Sequence, residues 1–240
     1  QSMLDQRRKQ LLDAMGIRRW VRRDLPAQAL REPDTENPAD VVIHAPEESL
    51  QEQPATEWEA LRAQVAACEK CGLHTSRTQT VFGTGDRNAD LLIIGEAPGA
   101  DEDREGTPFV GRAGQLLDQM LLAAGFRRNQ VYIANILKCR PPSNRNPAPD
   151  EILACSGYLA SQIAMLEPKA ILAVGGVSAT SLLETDLSVG KLRGEVHRYG
   201  ETRIPLVVTY HPAYLLRKPA EKARSWLDLQ LLMRLLRDVA

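Results

Sequence analysis

The sequence predicts an α/β protein with a central, mostly parallel sheet, and three observations support that prediction. Four short apolar runs have the length of buried strands: Leu91–Ile94, Val131–Ile136, Ala170–Val174 and Leu206–Tyr210. Longer segments with helical spacing alternate with them, at residues 115–124, 150–166, 177–184 and 221–238. Each run also leads into glycine or polar residues. We therefore expect four strands between two layers of helices, a three-layer α/β/α arrangement.

A long loop, Gly95 to Gly114, joins the first predicted strand to the first of these helices. It contains five glycines and two prolines, which do not suit a packed element. In open α/β sheets, ligands bind at the carboxyl ends of the strands, where this loop lies. The loop is therefore predicted to bind a ligand, and the alternative is an ornate surface connection.

Glycine or polar residues also stand at the ends of the other three predicted strands. Asn135 stands near the end of the second, Gly175-Gly176-Val177-Ser178 follows the third, and His211-Pro212-Ala213 follows the fourth. Because parallel strands end at one edge of a sheet, these residues are expected to meet there. Each alone is more often structural, but four such features at four strand ends indicate a site.

The composition is that of a globular protein, with 43% apolar and 25% charged residues. No apolar run approaches the length of a membrane span, and no signal-peptide pattern is present. We expect a cytoplasmic protein that makes no contact with membranes. The net charge of −1 hides an uneven distribution, because residues 32–59 contain nine carboxylates and no lysine or arginine.

The first part of the chain is predicted to be a short basic peptide, residues 1–23, on an acidic tether, residues 24–56. The tether contains five prolines and few apolar residues, which indicates disorder. The peptide is too short to bury its own apolar side chains. It therefore docks on the rest of the chain or binds another protein, through the candidate contacts Leu11, Leu12, Met15, Ile17 and Trp20.

Four cysteines form a candidate metal site: Cys68, Cys71, Cys139 and Cys155. In an intracellular protein, such a set favours a metal over disulfides. Two cysteines separated by two residues can bind one ion, and the fold must supply the other two. Four thiolates suit either tetrahedral zinc or a [4Fe–4S] cluster, and the spacing alone does not separate the two.

Several motifs together resemble the family 4, iron–sulfur type of uracil-DNA glycosylase. They are Gly95–Gly99, Pro108–Gly111, Asn135–Pro142 and His211–Ala213, in the family's order and with all four cysteines. The resemblance covers residues 57–240 and implies a glycosylase domain that holds a [4Fe–4S] cluster on those cysteines. It also implies that the substrate is uracil-containing DNA and that the enzyme, a DNA N-glycosylase, starts base excision repair.

The resemblance assigns roles to the residues of the loop and the strand ends. Phe109 corresponds to the residue that stacks on the flipped base, and Asn135 to the one that pairs with uracil. His211 corresponds to the donor that stabilises the departing uracil, helped by backbone N–H groups at Ala97. The residue that activates water is not identified by the motif, and Glu96 and Glu102 are the candidates. Glu102 is also expected to crowd the C5 position and reject thymine.

The DNA contacts implied by the resemblance lie around the same edge of the sheet. The segment from Pro212 to Arg217 resembles the one that probes the minor groove, with Tyr214, Leu215 and Leu216 as apolar probes. Cations and a helix start are expected to hold phosphates. These residues are Lys138, Arg140, Arg145, Ser178, Arg217 and Lys218.

The tail has a resemblance of its own. Residues 15–20, followed by Arg22 and Arg23, resemble the start of the ψ subunit of bacterial DNA polymerase III. That similarity implies a bacterial protein whose tail binds clamp-loader subunits. The alternative function is therefore a ψ-like accessory subunit that uses a glycosylase fold as a scaffold, with weak or no catalysis.

Overall fold

The computed structural model describes residues 56–238. The predicted basic peptide and nearly all of the predicted tether lie outside the described residues. Within them, the α-helices are α1 Glu57–Ala66, α2 Ala100–Glu105, α3 Arg112–Ala123, α4 Pro149–Leu166, α5 Gly176–Leu183, α6 Val189–Leu192, α7 Pro212–Arg217 and α8 Lys222–Asp238. The strands are β1 Thr84–Gly85, β2 Leu91–Gly95, β3 Tyr132–Asn135, β4 Ala170–Val174, β5 Val196–Tyr199 and β6 Ile204–Thr209.

The six strands form a sheet in the order β1-β3-β2-β4-β6-β5. The four central strands are parallel, and each edge strand pairs antiparallel with its neighbour. The central strands are the four that the apolar runs predict, and β2 and β4 are buried along their whole length. In the register, Gly95 pairs with Asn135 and Val174 pairs with Thr209. The loops after these strands therefore meet at one edge.

Two apolar cores cover the two faces of the sheet. Leu92 and Ile94 of β2 lie in a core with side chains of α1, α4 and α5. Leu91 and Ile93 lie in a second core with side chains of α3 and α8. This division follows from the alternation of side chains along a strand. The predicted three-layer α/β/α fold is confirmed.

The prediction of four strands is wrong, because the sheet has six in the described range. β1 is only two residues long, and β5 alternates exposed and half-buried residues without a continuous apolar run. Two predicted loops also contain helices. Ala100–Glu105 forms α2 inside the long glycine-rich loop, and Pro212–Arg217 forms α7 directly after His211. Among residues 56–238, none of the helices has the length and apolarity needed to cross a membrane.

Candidate active site

A cleft of about 550 Å³ lies at the carboxyl ends of the parallel strands. The long loop after β2, the end of β3 and the start of α7 form its walls. Of the residues singled out in the sequence, Glu96, Phe109, Asn135, His211 and Tyr214 line it, together with Ala97, Glu102 and Arg217. The structure therefore brings together the predicted base-binding side chains, although they come from three distant parts of the chain.

Asn135 presents a buried amide to this cleft. Its side chain is 2% exposed, and its Oδ1 atom has no hydrogen-bond partner among the described residues. The main chain of Asn135 is held by the pairing of β3 with β2. A buried oxygen without a partner is costly, and most such atoms in proteins are satisfied. Asn135 is thus positioned to accept a hydrogen bond from a ligand.

Phe109 provides a flat apolar wall in the same cleft. Its ring stacks beside the His211 ring, with 5.7 Å between the centroids and 29° between the planes. Its backbone lies in the left-handed region at φ 55°, which is uncommon for a bulky residue. A Cβ atom at Gly95 would come within 2.6 Å of Phe109 Cζ. The glycine after β2 therefore leaves the space in which the Phe109 ring and the Asn135 amide lie.

Gly114 is required by the same backbone turn, and its replacement by alanine should lower the stability of the protein. A Cβ atom there would overlap the main-chain carbonyl of Phe109. In most helices Gly→Ala stabilises by about 0.5–1 kcal/mol, so the expected sign is reversed here. Urea unfolding of Gly114→Ala measures the effect, with Gly157→Ala in α4 as the control, since nothing lies within 4 Å of its Cβ. Equal stability of both variants would contradict this account of the Phe109 turn.

His211 is the neutral N-cap of α7. Its Nδ1 atom accepts a hydrogen bond of 3.1 Å from the N–H of Ala213, so the ring proton resides on Nε2. Burial lowers the pKa of His211 to about 4, and the charge of Arg217 acts in the same direction, while Glu102 opposes it. The ring is therefore an uncharged donor through Nε2 at neutral pH.

The low pKa of His211 should be visible in a titration. Its NMR midpoint is expected at about 4, well below the 6.5 or so of an unperturbed histidine. Between these values the unfolded state binds more protons. The contribution of this group to stability is therefore complete above about pH 6.5 and is lost as the pH falls toward 4. A midpoint near 6.5 would contradict the assignment of a neutral ring. The pH dependence of the reaction rate should be measured in wild type and in Glu96→Gln, because this variant removes a second titrating group from the cleft.

The two carboxylates of the cleft differ in their contacts. Glu102 accepts three backbone hydrogen bonds: its Oε1 from Val110 (2.9 Å) and Gly111 (3.1 Å), and its Oε2 from Gly99 (3.1 Å). This side chain braces both ends of the glycine-rich loop. Glu96 is half-buried, and burial raises its pKa. The roles predicted for Glu102 at water or at C5 stay predictions, and Glu96 is the carboxylate with fewer competing contacts.

The four cysteines surround a second, smaller pocket between α1, α4 and the segment after β3. Hydrogen-bond donors point at three of the sulfurs. Arg77 Nη1 is 3.2 Å from Cys139 Sγ, and the main-chain N–H groups of Lys138 and Lys70 lie 3.3 and 3.5 Å from Cys155 and Cys68. Burial raises the pKa of the Cys155 thiol to about 11. No group of three or more histidine, cysteine or acidic side chains in residues 56–238 is arranged to hold one metal ion.

Comparison with known proteins identifies the family. The sequence pattern of the Uracil DNA glycosylase superfamily matches residues 82–232, more than half of the chain. The chain belongs to the uracil-DNA glycosylase superfamily. It is similar to the Type-4 uracil-DNA glycosylase of Pyrobaculum aerophilum, with 45% identity over 168 residues, 68% of this chain and 86% of the relative.

Two further relatives carry the same description. The Type-4 uracil-DNA glycosylase of Archaeoglobus fulgidus is 42% identical over 65% of this chain and 81% of its own length. That of Thermotoga maritima is 41% identical over 69% of this chain and 86% of its own length. The resemblance to family 4 glycosylases is confirmed. The superfamily match does not reach residues 1–55, so the ψ-like tail stays a prediction.

Three DNA contacts predicted for this uracil-DNA glycosylase superfamily member are wrong for this structure. Ser178 is completely buried, and its hydroxyl donates to the carbonyl of Gly175. Lys138 is buried with its ammonium directed to internal acceptors, and Leu215 is buried where α7 packs against α3. None of the three can reach a phosphate or a base step from outside. Helix starts, lysines and leucines are common in both settings, so residue type alone did not separate them.

The other predicted contacts of the glycosylase domain lie at or near the surface. Leu216 and Arg217 are exposed, and Tyr214 and Arg140 are half-buried. Arg145 instead forms a bidentate ion pair with Glu151, at 2.9 and 2.5 Å, and so braces the segment before α4. The exposed end of α7 is the part of the predicted DNA surface that has side chains free to reach outward.

A buried network behind His211 was not predicted. Thr209 Oγ1 donates to Asp228 Oδ2 at 2.9 Å, and Arg193 donates to both oxygens of the same carboxylate at 3.1 and 2.8 Å. The Arg193 guanidinium also lies 5.5 Å from the Tyr210 ring centroid. The network holds the end of β6, two residues before His211. A polar threonine at the end of an apolar strand and an aspartate within an amphipathic helix were the available signals.

Proposed function

We propose that this protein is a uracil-DNA glycosylase that hydrolyses the bond between uracil and deoxyribose and so starts base excision repair. One observation supports this above the others. The unpartnered Asn135 amide lies in one cleft with the stacked Phe109 and His211 rings, at the carboxyl ends of the strands. Relatives at 41–45% identity are described as Type-4 uracil-DNA glycosylases, which agrees with this geometry.

Recognition begins with a base that has left the duplex, because an enzyme cannot reach the target bond of a base that is still stacked. The flipped uracil stacks on Phe109. Uracil presents an acceptor, O4, beside a donor, N3–H, and the amide of Asn135 offers the complementary pair. Cytosine presents the reverse order at these positions and leaves both halves of a fixed amide mismatched. The amide of Asn135 therefore rejects cytosine without the help of an additional group.

Bond cleavage depends on stabilising the uracil anion. His211 donates from Nε2 toward O2, where negative charge collects as the bond breaks. The low pKa of the ring means that the donor is neutral and does not require a proton from solvent. The backbone N–H of Ala97 adds a second donor at the same wall. Glu96 orients the attacking water, and its raised pKa reflects the partly buried position needed for that role.

DNA is held by the exposed part of α7 and by the cations nearby. Arg217 and Arg140 bind phosphates, since contacts to the backbone supply most of the affinity for DNA. Tyr214 and Leu216 enter the gap left by the flipped base, as apolar side chains do in proteins that unstack base steps. Of the two leucines that the sequence suggested as probes, Leu216 has this role, because it is the exposed one of the pair.

The cysteine pocket holds a [4Fe–4S] cluster in this proposal, and the residues present fit that group. Four thiols meet in one pocket, and three have hydrogen-bond donors that stabilise thiolate ligands. In tetrahedral zinc the sulfurs lie only about 4 Å apart. The family 4 resemblance, rather than the thiols themselves, favours the cluster over zinc. The cluster would supply a structural cross-link between the segment after α1, the segment after β3 and α4, away from the cleft.

The deciding experiment is excision from an oligonucleotide that contains one uracil. The purified protein is expected to release uracil and leave an abasic site, while matched oligonucleotides with thymine or cytosine stay intact. Iron and sulfide analysis of the same preparation should give four of each per chain, with brown colour. Absence of uracil release would overturn the proposed activity, and stoichiometric zinc without iron would overturn the cluster independently.

We also propose that residues 3–23 bind a clamp-loader subunit of the replication machinery, as the ψ-like motif implies. The tail has several apolar residues and one tryptophan, and tryptophan is enriched in binding hot spots. Pull-down of clamp-loader proteins should depend on Trp20 and persist at moderate salt. Nonspecific attraction of the basic tail to DNA would instead weaken steeply with salt and ignore Trp20→Ala. Equal recovery with both tails would contradict the proposal.

A further inference from the structure

We infer that Lys138 is the internal counter-ion of the cysteine-bound cluster and, through Asn135, the positioning residue that connects it to the uracil cleft. The inference rests on the proposed function, because it requires a cluster on the four cysteines. It gives the cluster a specific consequence for base recognition. It also replaces the phosphate contact that the sequence suggested for this lysine.

Lys138 lies between the two sites. It is 1% exposed, and it is one of the residues that line the cysteine pocket. Its Nζ atom donates to the main-chain oxygen of Asn135 at 3.0 Å and to Gln162 Oε1 at 2.6 Å. Its main-chain N–H donates to Cys155 Sγ at 3.3 Å. One residue therefore touches both a cluster ligand and the main chain of the base-recognition residue.

The acceptors of Lys138 are neutral, although an ammonium group is buried there. Within residues 56–238, its ammonium makes no ion pair with a carboxylate, and both of its side-chain hydrogen bonds go to amide oxygens. Burying a charge without an opposite charge is expensive. A cluster held by four thiolates carries net negative charge and lies against the same wall. The buried cation and the buried anion compensate each other.

Gln162 supports this interpretation by keeping the ammonium in place. Its amide oxygen accepts from Lys138, and its amide nitrogen donates to the main-chain oxygen of Phe82 at 3.0 Å. Gln162 is itself completely buried on α4. The amide thus has both of its halves used, and the lysine is held at one position between α4 and the end of β3.

The consequence for the cleft follows from the hydrogen bond to Asn135. No hydrogen bond from the described residues to Oδ1 holds the side-chain amide of Asn135 in place. Its position therefore depends on a rigid main chain. Pairing with β2 holds one side of that main chain, and Lys138 holds its carbonyl. Loss of the cluster would leave the lysine charge uncompensated and would loosen this anchor.

The test compares three full-length variants: Lys138→Met, Lys138→Arg and Gln162→Leu. Protein-film voltammetry of each purified protein measures the reduction potential of the cluster, and iron analysis measures its retention. Removal of a nearby positive charge makes reduction harder, so Lys138→Met should shift the potential to more negative values. Lys138→Arg keeps the charge and should stay close to wild type. Gln162→Leu keeps the charge but removes one of its two acceptors, so it should shift the potential less than Lys138→Met does. In Lys138→Met, single-turnover uracil release should fall more than tenfold with DNA affinity unchanged.

Each outcome decides the inference. If Lys138→Met fails to retain iron while Lys138→Arg retains it, the charge is still the property that matters. If the arginine and methionine variants lose iron equally, or if the potential of Lys138→Met matches that of wild type, the counter-ion role is wrong. Wild-type protein without iron would overturn the cluster itself, and wild-type protein without uracil release would overturn the proposed activity. Those two failures are separate from a failure of the Lys138 inference.

Discussion

Replacing His211 with alanine is expected to slow uracil release about 10²–10³-fold, because loss of one donor to a developing anion typically costs that much. Asn135→Ala should have a similar effect through loss of the uracil contacts. DNA affinity should change little in both, since the phosphate contacts remain. Single-turnover excision, with oligonucleotide binding measured in parallel, provides the two numbers.

The matched control for the first prediction is His197→Ala. His197 lies on the edge strand β5 and bonds to the Leu192 carbonyl at 2.6 Å, outside the cleft. It should retain nearly wild-type excision. Wild-type rates in both His211→Ala and Asn135→Ala would show that the cleft is not where the chemistry occurs. The variant Asn135→Asp provides a further test. Its side chain lacks the amide donor, and its protonated form is expected to admit cytosine.

Replacing Asp228 with alanine should destabilise the protein by about 3–5 kcal/mol, although the residue lies outside the cleft. The Asp228 side chain is 0% exposed, and the variant leaves the Arg193 guanidinium, which is 14% exposed, without its partner. Thr209 also loses the acceptor of its buried hydroxyl. The free energy of unfolding in urea measures the loss.

Asp90→Ala serves as the comparison for Asp228. Asp90 pairs with Lys169 at 3.3 Å on the surface, and exposed pairs contribute only about 0–1 kcal/mol. If Asp228→Ala lowers the free energy of unfolding by less than 1 kcal/mol, the network behind β6 contributes little to stability. The companion variant Thr209→Val keeps the shape of the side chain and should cost about 1 kcal/mol.

The central strands were predictable because each is a continuous apolar run. A strand that is buried on both faces needs apolar residues at nearly every position. The edge strands were not predictable. Thr84–Gly85 is too short to produce a pattern, and in Val196–Tyr199 the exposed positions are a valine and an arginine, while the half-buried ones are a histidine and a tyrosine. Helix α7 did leave a signal, since proline is favoured at the first position of a helix. The resemblance to a loop that contacts DNA outweighed it.

The candidate site was predictable in its members but not in their surroundings. Strand ends and motifs named Phe109, Asn135 and His211, because topology alone decides that they meet. Whether Lys138 and Leu215 are buried or exposed depends instead on packing. Leu215 and Leu216 are neighbours, and only the docking of α7 on α3 decides which one is buried. The two residues are of the same type, so the sequence alone does not distinguish the buried one from the exposed one.

The positions of Glu96, Asn135 and His211 along the chain also have a consequence for folding. They lie at or just after the ends of three parallel strands that are distant in sequence, and no two can meet until long stretches of chain have closed. Contacts of this kind form late and slowly. Partly folded chains therefore have no assembled cleft and cannot attack DNA. Recovery of uracil excision during refolding should lag behind recovery of helical signal, which makes activity a kinetic reporter of the completed sheet.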